Sequence, residues 1–469
     1  MKISVLSEAQ VIEIKEMTEE ILENTGFRVP HQGMQRIAAR AGAKVDETDQ
    51  IIRLPRPLLG ELLAQIPPSY AIRGVDGVRH EVGAGKQHCL ALTTDPWIID
   101  YRTQSPRRPC LDDVIRHTAI AQRLEHVTAV SRMDFPVTDY ADGTSSLRAL
   151  EAHLLNHVKH YFVYATGLDD FHIWMELGDI LNRGGGLDKS GLMSVAVAVI
   201  SPLTLTDINV ELLLGAANKS FPIVPTICPM AGMTSPYSKD STLLLGNAEN
   251  IFLAALAQIV NPGNPFLYAL GPSRGNMANG SDMYYTLDKI LWKIAAVELA
   301  KSYGIPAFAE CGGSMTHRYD MQTGAEGLLF MLAAQNSGAD FLTGLGSCYN
   351  ANGMSAEMMV IQSEWLKVSR FLSRGISTDT LKPGMKSLSE AGYGGNFLLD
   401  DLTIEFLRSD EFFDPALLDY SGDRDAPPLL ERAHEMVESL VYGYRSPVPE
   451  KIQVELRRYF LSLYTNMKS

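Results

Sequence analysis

The chain has 469 residues, 46% hydrophobic and 20% charged, the profile of a globular protein able to bury a large core. Its formal net charge of −14 argues against nucleic acid or an anionic membrane as the main partner. The five scattered cysteines include no CxxC pair, which suits a reducing cytoplasm better than a disulfide framework.

No apolar run reads as approaching the ~20 residues that cross a bilayer. The start, MKISVLSEAQ, lacks the apolar core of a leader peptide, so a cytoplasmic protein is expected. Residues 6–25 read as an amphipathic helix that starts at Ser7 and stops near Gly26. Helices at 34–41 and 57–66 and a short strand at 51–54 complete an N-terminal helical cap over residues 1–80.

A repeat then begins. Apolar strand candidates fall at 89–93, 127–132, 162–166, 192–200, 223–228, 265–270, 305–310 and 339–343. Helical periodicity fills the gaps at 111–124, 145–157, 170–181, 206–219, 241–260, 286–302 and 320–336, and an eighth helix follows at 355–372. Eight such units predict a (β/α)8 TIM barrel over residues 81–375. The strands lack period-2 alternation, as parallel strands covered on both faces do. An open doubly wound sheet is the alternative, but no phosphate-cradling glycine loop follows the first strand. Residues 376–469 then read as a C-terminal helical region, with helices at 402–408, 429–439 and 450–463.

A barrel carries its chemistry at the carboxyl ends of its strands. Those ends are rich in Gly, Ser, Thr and Pro, poor in His, and hold three acids: Asp95, Asp134 and Glu310. His153, His157 and His160 share a helix face, but Leu154 stands where a zinc helix would carry Glu, and no metal site is expected. An exposed or interfacial histidine stripe is the plainer reading. Cys311, six residues before His317, could be a nucleophile, although free cysteines are more often small buried hydrophobes. The aromatics Trp97, Phe135, Tyr237, Tyr268 and Tyr349, together with the acids, could cage a quaternary ammonium; the alternative is core packing. Arg274 could hold a substrate carboxylate or form a rim salt bridge.

Four stretches carry a family resemblance: DPWIIDYRTQSPRRPCLDD (95–113), NAENIFLAALAQIVNPGNPFLYAL (247–270), ECGGSMTHRYDMQTGAE (310–326) and AGYGGNFLLDDLT (391–403). Together they resemble the trimethylamine methyltransferase (MttB) superfamily, and the first predicts a hairpin before the first barrel helix. The resemblance implies a TIM barrel that passes a methyl group from a methylamine to the cobalt of a separate corrinoid protein. Founding members carry pyrrolysine in the segment after the seventh strand. This chain has the small residues Cys311, Gly312, Gly313 and Ser314 there, which resembles members acting on quaternary amines such as glycine betaine, proline betaine or carnitine.

The resemblance thus implies Glu310, Gly312 and Gly313 at the catalytic centre, with residues 311–314 lining the cavity. Read from the strand ends, Asp95, Asp134, Phe135, Tyr268, Arg274, His317 and Tyr349 are expected around a quaternary amine. No tightly held cofactor is expected, since the corrinoid (cobalamin) comes with the partner protein, and a homo-oligomer is expected. A quaternary ammonium leaves as a neutral amine, so no general acid is required. A hydrolase using Glu310 and Asp134 as paired carboxylates and a non-catalytic betaine-binding protein are the rivals.

Overall fold

The computed structural model describes residues 3–131, 137–182 and 191–467. At its centre is a curled sheet of seven parallel strands: β1 (His88–Leu92), β2 (Ala129–Ser131), β3 (His160–Val163), β4 (Met193–Ala198), β5 (Ile223–Thr226), β6 (Phe308–Glu310) and β7 (Phe341–Leu345). Their order across the sheet is β5-β4-β3-β2-β1-β7-β6, each neighbour pair parallel. The expected strand at 265–270 is reduced to isolated bridges, Ile223 with Phe266 and Tyr268 with Ala307, one to each edge of the sheet. The amide of Leu267 donates to the Ile223 carbonyl (3.0 Å) and that of Tyr268 to the Pro306 carbonyl (2.8 Å). Both prolines of this region, Pro265 and Pro306, lack the N–H a continuous ladder would need. The curl, not a complete eight-stranded ladder, is what the hydrogen bonding supports.

Side chains alternate along each strand between the hollow and the surrounding helices. The inward set Leu90, Ala129, Phe162, Val224, Leu267, Ala269 and Phe341 forms one apolar cluster. A hairpin, Tyr70–Arg73 against Arg79–Val82, adds Tyr70, Ile72 and Val82 to that cluster. The hairpin sits at the amino-terminal ends of the strands: the Val75 amide donates to the Val158 carbonyl (2.6 Å), just ahead of β3. One end of the hollow is therefore plugged. The other end, where the strands finish, is where side chains regain solvent.

The region before residue 80 is not purely helical, because Phe27–Arg28, Ile51–Arg53 and Lys44–Asp46 form a small antiparallel sheet beside the helices. The hairpin expected before the first barrel helix is present, Trp97–Asp100 against Ser105–Arg107. Arg107 at its end grips both carboxylate oxygens of Asp113 (2.6 and 2.7 Å), while Asp113 accepts from the Cys110 amide at the start of the helix Leu111–Arg123. The helix Lys239–Val260 is, among the described residues, long and apolar enough to cross a membrane, contrary to the sequence expectation, but most of it is buried inside the protein. Beyond Gly375, the helices Leu381–Ala391 and Asp401–Phe406 bury no residue, whereas Leu429–Val441 and Glu450–Asn466 pack on the sheet's helical layer.

Candidate functional site

Alternation along β3, β5 and β6 carries the inward register from Phe162, Val224 and Phe308 to Tyr164, Cys228 and Glu310 at the open end. Tyr164 and Phe308 are partly exposed on top of the apolar plug and floor a recess. The Cys228 thiol is reached by solvent, yet Tyr284 and Glu310 crowd it so closely that burial pushes its pKa up. Gly271 faces the same recess: a Cβ there would lie 2.8 Å from the Tyr284 hydroxyl and 3.1 Å from Cys228 Sγ. Only glycine leaves the recess open at that point.

Glu310 is the electrostatic centre. The Tyr284 hydroxyl donates to its Oε1, and the lysines Lys289 and Lys293 stand 3.2 and 2.9 Å from its Oε2. Burial alone would raise the pKa of this carboxyl, but the two ammonium groups outweigh it and hold it down at about 2. Glu310 is a permanent carboxylate at physiological pH. Lys293 also donates to the Leu270 carbonyl (2.6 Å). Lys289 is fully buried, and its Nζ lies 2.8 Å from the centre of the Tyr284 ring. Desolvation is the largest influence on Lys289 and, despite Glu310, brings its pKa down to about 7.

The helix Lys289–Ser302 presents Lys289, Trp292, Lys293 and Ala296 on one buried stripe. Tyr284 and Tyr285 are fixed from the other side by Asn350, whose side chain accepts from both amides (2.7 and 3.3 Å) and donates to the Asp282 carbonyl. Asn350 has a left-handed backbone (φ +55°), which asparagine tolerates better than most residues. Tyr284, Lys289, Lys293, Cys228 and Tyr164 are site residues that sequence reasoning missed. Two lysines four residues apart within an apolar helical stretch were the available signal.

Of the expected residues that the structure describes, Glu310 alone occupies the centre. Gly312 and Gly313 are buried behind it. A Cβ on Gly312 would come within 2.0 Å of the Gly344 carbonyl oxygen; one on Gly313 (φ +132°) would come within 2.3 Å of the Tyr285 ring. Residues 311–314 are buried throughout, so they support the wall of the site instead of lining an open cavity. Cys311 touches Cys89, and that contact together with burial pushes its thiol well up, which removes it as a nucleophile. His317 meets the Tyr349 ring edge-on at 5.0 Å. Asp95 is buried behind Tyr285 and Cys348, and desolvation raises its pKa well above the carboxylate range. Asp134 and Phe135 lie outside the described residues.

Two expected binding residues point elsewhere. Tyr268 faces outward, its hydroxyl donating to Asn247 Oδ1 (2.9 Å), which leads on to Thr18 and Tyr303 in the helical layer. Arg274 is paired with Asp288 at 3.2 Å on the rim, the salt-bridge alternative. Trp97 lies under the Arg108 guanidinium (3.9 Å). The histidine stripe is buried, not exposed: His153 and His157 contact each other (3.1 Å), and His160 contacts Ser194 Oγ (2.9 Å) and the Gly191 carbonyl (3.0 Å). Among the described residues no cluster of three His, Cys, Asp or Glu is placed to hold a metal ion.

The family model described as trimethylamine methyltransferase (MTTB) matches residues 1–463. The chain belongs to that family. Within it, the glycine betaine methyltransferase of Desulfitobacterium hafniense strain Y51 is 27% identical over 455 residues, covering 95% of this chain and 94% of that protein. The trimethylamine methyltransferase MttB of Desulfitobacterium hafniense strain DSM 10664 / DCB-2 is 24% identical over 459 residues, covering 96% and 92%. The solved monomethylamine methyltransferase MtmB of Methanosarcina barkeri aligns over 98% of this chain and 92% of its own, at 14% identity and a TM-score of 0.48.

Proposed function

We propose that this family member moves a methyl group from a quaternary amine, glycine betaine in the first instance, to the reduced corrinoid of a separate protein. Proline betaine and carnitine are the alternative substrates within the same reading. The observation that carries it is Glu310, a permanently ionised carboxylate at the open end of the curled sheet, beside aromatic side chains and with Tyr284 bonded to it. Residues 81–375, read as a TIM barrel, supply this site, and the flanking regions 1–80 and 376–469 frame it. The protein works in the cytoplasm as an oligomer under this reading, and the corrinoid is bound by the partner alone.

In the reaction the N–CH3 bond breaks, its electron pair stays on nitrogen, and the amine departs neutral. No proton is needed to release it, so the residues' work is orientation and exclusion of water. Glu310 attracts the ammonium. Lys289 and Lys293 temper that attraction, which helps the rate because positive charge leaves nitrogen in the transition state, and a strong grip on the ground state would raise the barrier. The test is to incubate the full chain with a reduced corrinoid protein and a panel of betaines, and to follow the demethylated amine by NMR. Accumulation of dimethylglycine supports the reading; no demethylation of any N-methylated amine removes it.

A further inference from the structure

The ring face of Tyr284 and a carboxylate oxygen of Glu310 are what a quaternary ammonium would seek, and one of the chain's own cations is already there. Lys289 Nζ lies 2.8 Å from the ring centre and 3.2 Å from Glu310 Oε2. It is sealed from solvent, and among the described residues Glu310 and the Tyr284 ring are what hold its charge in place. Lys293 adds a second cation to the same oxygen at 2.9 Å. The groups facing Lys289 are Glu310, Lys293, Cys228, Tyr284 and Tyr285. With both lysines protonated, this cluster carries one net positive charge.

We propose that Lys289 is a specificity-determining residue: it fills the cation cage itself, so that the site favours an N-methylated substrate bearing its own anionic group and turns away a bare quaternary cation. The inference rests on reading the recess as the methylated-amine site. A bare cation beside the cluster meets like charge in a poorly screened recess, whereas a zwitterion offers its acid group to the surplus positive charge. Lys289 acts through Glu310 and the local field and does not touch substrate. Burial weakens its hold on its proton, which places the loss of that charge near neutral pH. Rejection of a bare cation then relaxes as the pH rises, while a zwitterion loses part of its advantage.

Calorimetric titration of tetramethylammonium and of glycine betaine into the full chain at pH 6 and pH 8 tests this. At pH 6 the zwitterion should bind at least ten times more tightly, and at pH 8 the gap should narrow severalfold. Lys289→Met should close the gap at both pH values. A wild-type gap that ignores pH, an unchanged preference in Lys289→Met, or failure of the wild type to bind either ligand overturns the proposal. The wild-type pH comparison stands even where the variant folds poorly. Methyl transfer measured on the same wild-type protein separates the two readings: transfer with a preference indifferent to Lys289 sinks only the role of Lys289. Selective binding without transfer sinks only the reaction.

Discussion

Gly312 and Gly344 meet backbone to backbone at the ends of β6 and β7, with the Gly344 carbonyl oxygen filling the space where any side chain at 312 would begin. Gln362 Oε1 closes the same space from the helix Ala356–Ser373, 2.8 Å from that Cβ position, and accepts from the Gly346 amide. The glycines after Glu310 are thus demanded by packing, and they set the position of the wall on which Tyr285 rests.

Gly312→Ala should accordingly cost about 1–3 kcal/mol of stability, as overpacking of a close-packed site does. Gly313→Ala should cost at least as much, since it adds left-handed strain to a clash with the Tyr285 ring. Urea unfolding of both variants measures this; native-like midpoints would mean that the wall yields and that residues 311–314 face open space.

Glu310→Gln should weaken binding of a bare quaternary cation such as tetramethylammonium about tenfold or more, because an attracting charge is lost while the two lysines remain. It should create no acid limb between pH 5 and 8, since the native carboxyl titrates near pH 2, far below that window. Single-turnover rates across that range are the check. A wild-type acid limb that disappears in Glu310→Gln but persists in Lys289→Met would mean that Glu310 moves a proton.

Arg274→Ala should change the apparent affinity for betaines less than threefold and cost under about 1 kcal/mol, as loss of a half-exposed ion pair with Asp288 does. Steady-state KM values for a betaine and for tetramethylammonium decide it. A rise confined to the betaine would return Arg274 to the substrate carboxylate.

Glu249 is fully buried and, among the described residues, has no cationic partner and accepts from Ser201 Oγ (2.7 Å) and the Leu203 amide (3.0 Å). Burial outweighs these bonds and raises its pKa to about 7. The folded state therefore keeps its proton between about pH 4.5 and 7 while the unfolded chain loses it, so this residue lowers stability as pH rises through that window. Glu249→Gln should remove a slope of at most about 1.4 kcal/mol per pH unit there. Parallel denaturation curves for the variant and wild type at pH 5, 6 and 7 would refute the assignment.

Local pattern determined much of this protein: apolar runs separated by helical periodicity set the order of strands and helices, and Glu310 stood at a strand end by position alone. Gly271, Gly312 and Gly344 were visible as glycines at strand ends, without a sign of which opened a recess and which filled a contact. Tertiary structure decided the rest. Strands buried on both faces carry no polar alternation, so nothing local told Tyr268, which turns outward to Asn247, from Tyr164, which turns into the recess. Lys289 and Lys293 lie on an apolar helix, and their partner Glu310 comes from the strand that follows, so their pairing exists only once that helix packs on the strand. A buried charge is tolerable only beside its counter-charge, and that neighbour is supplied by the fold, not by the residues next to it in the chain.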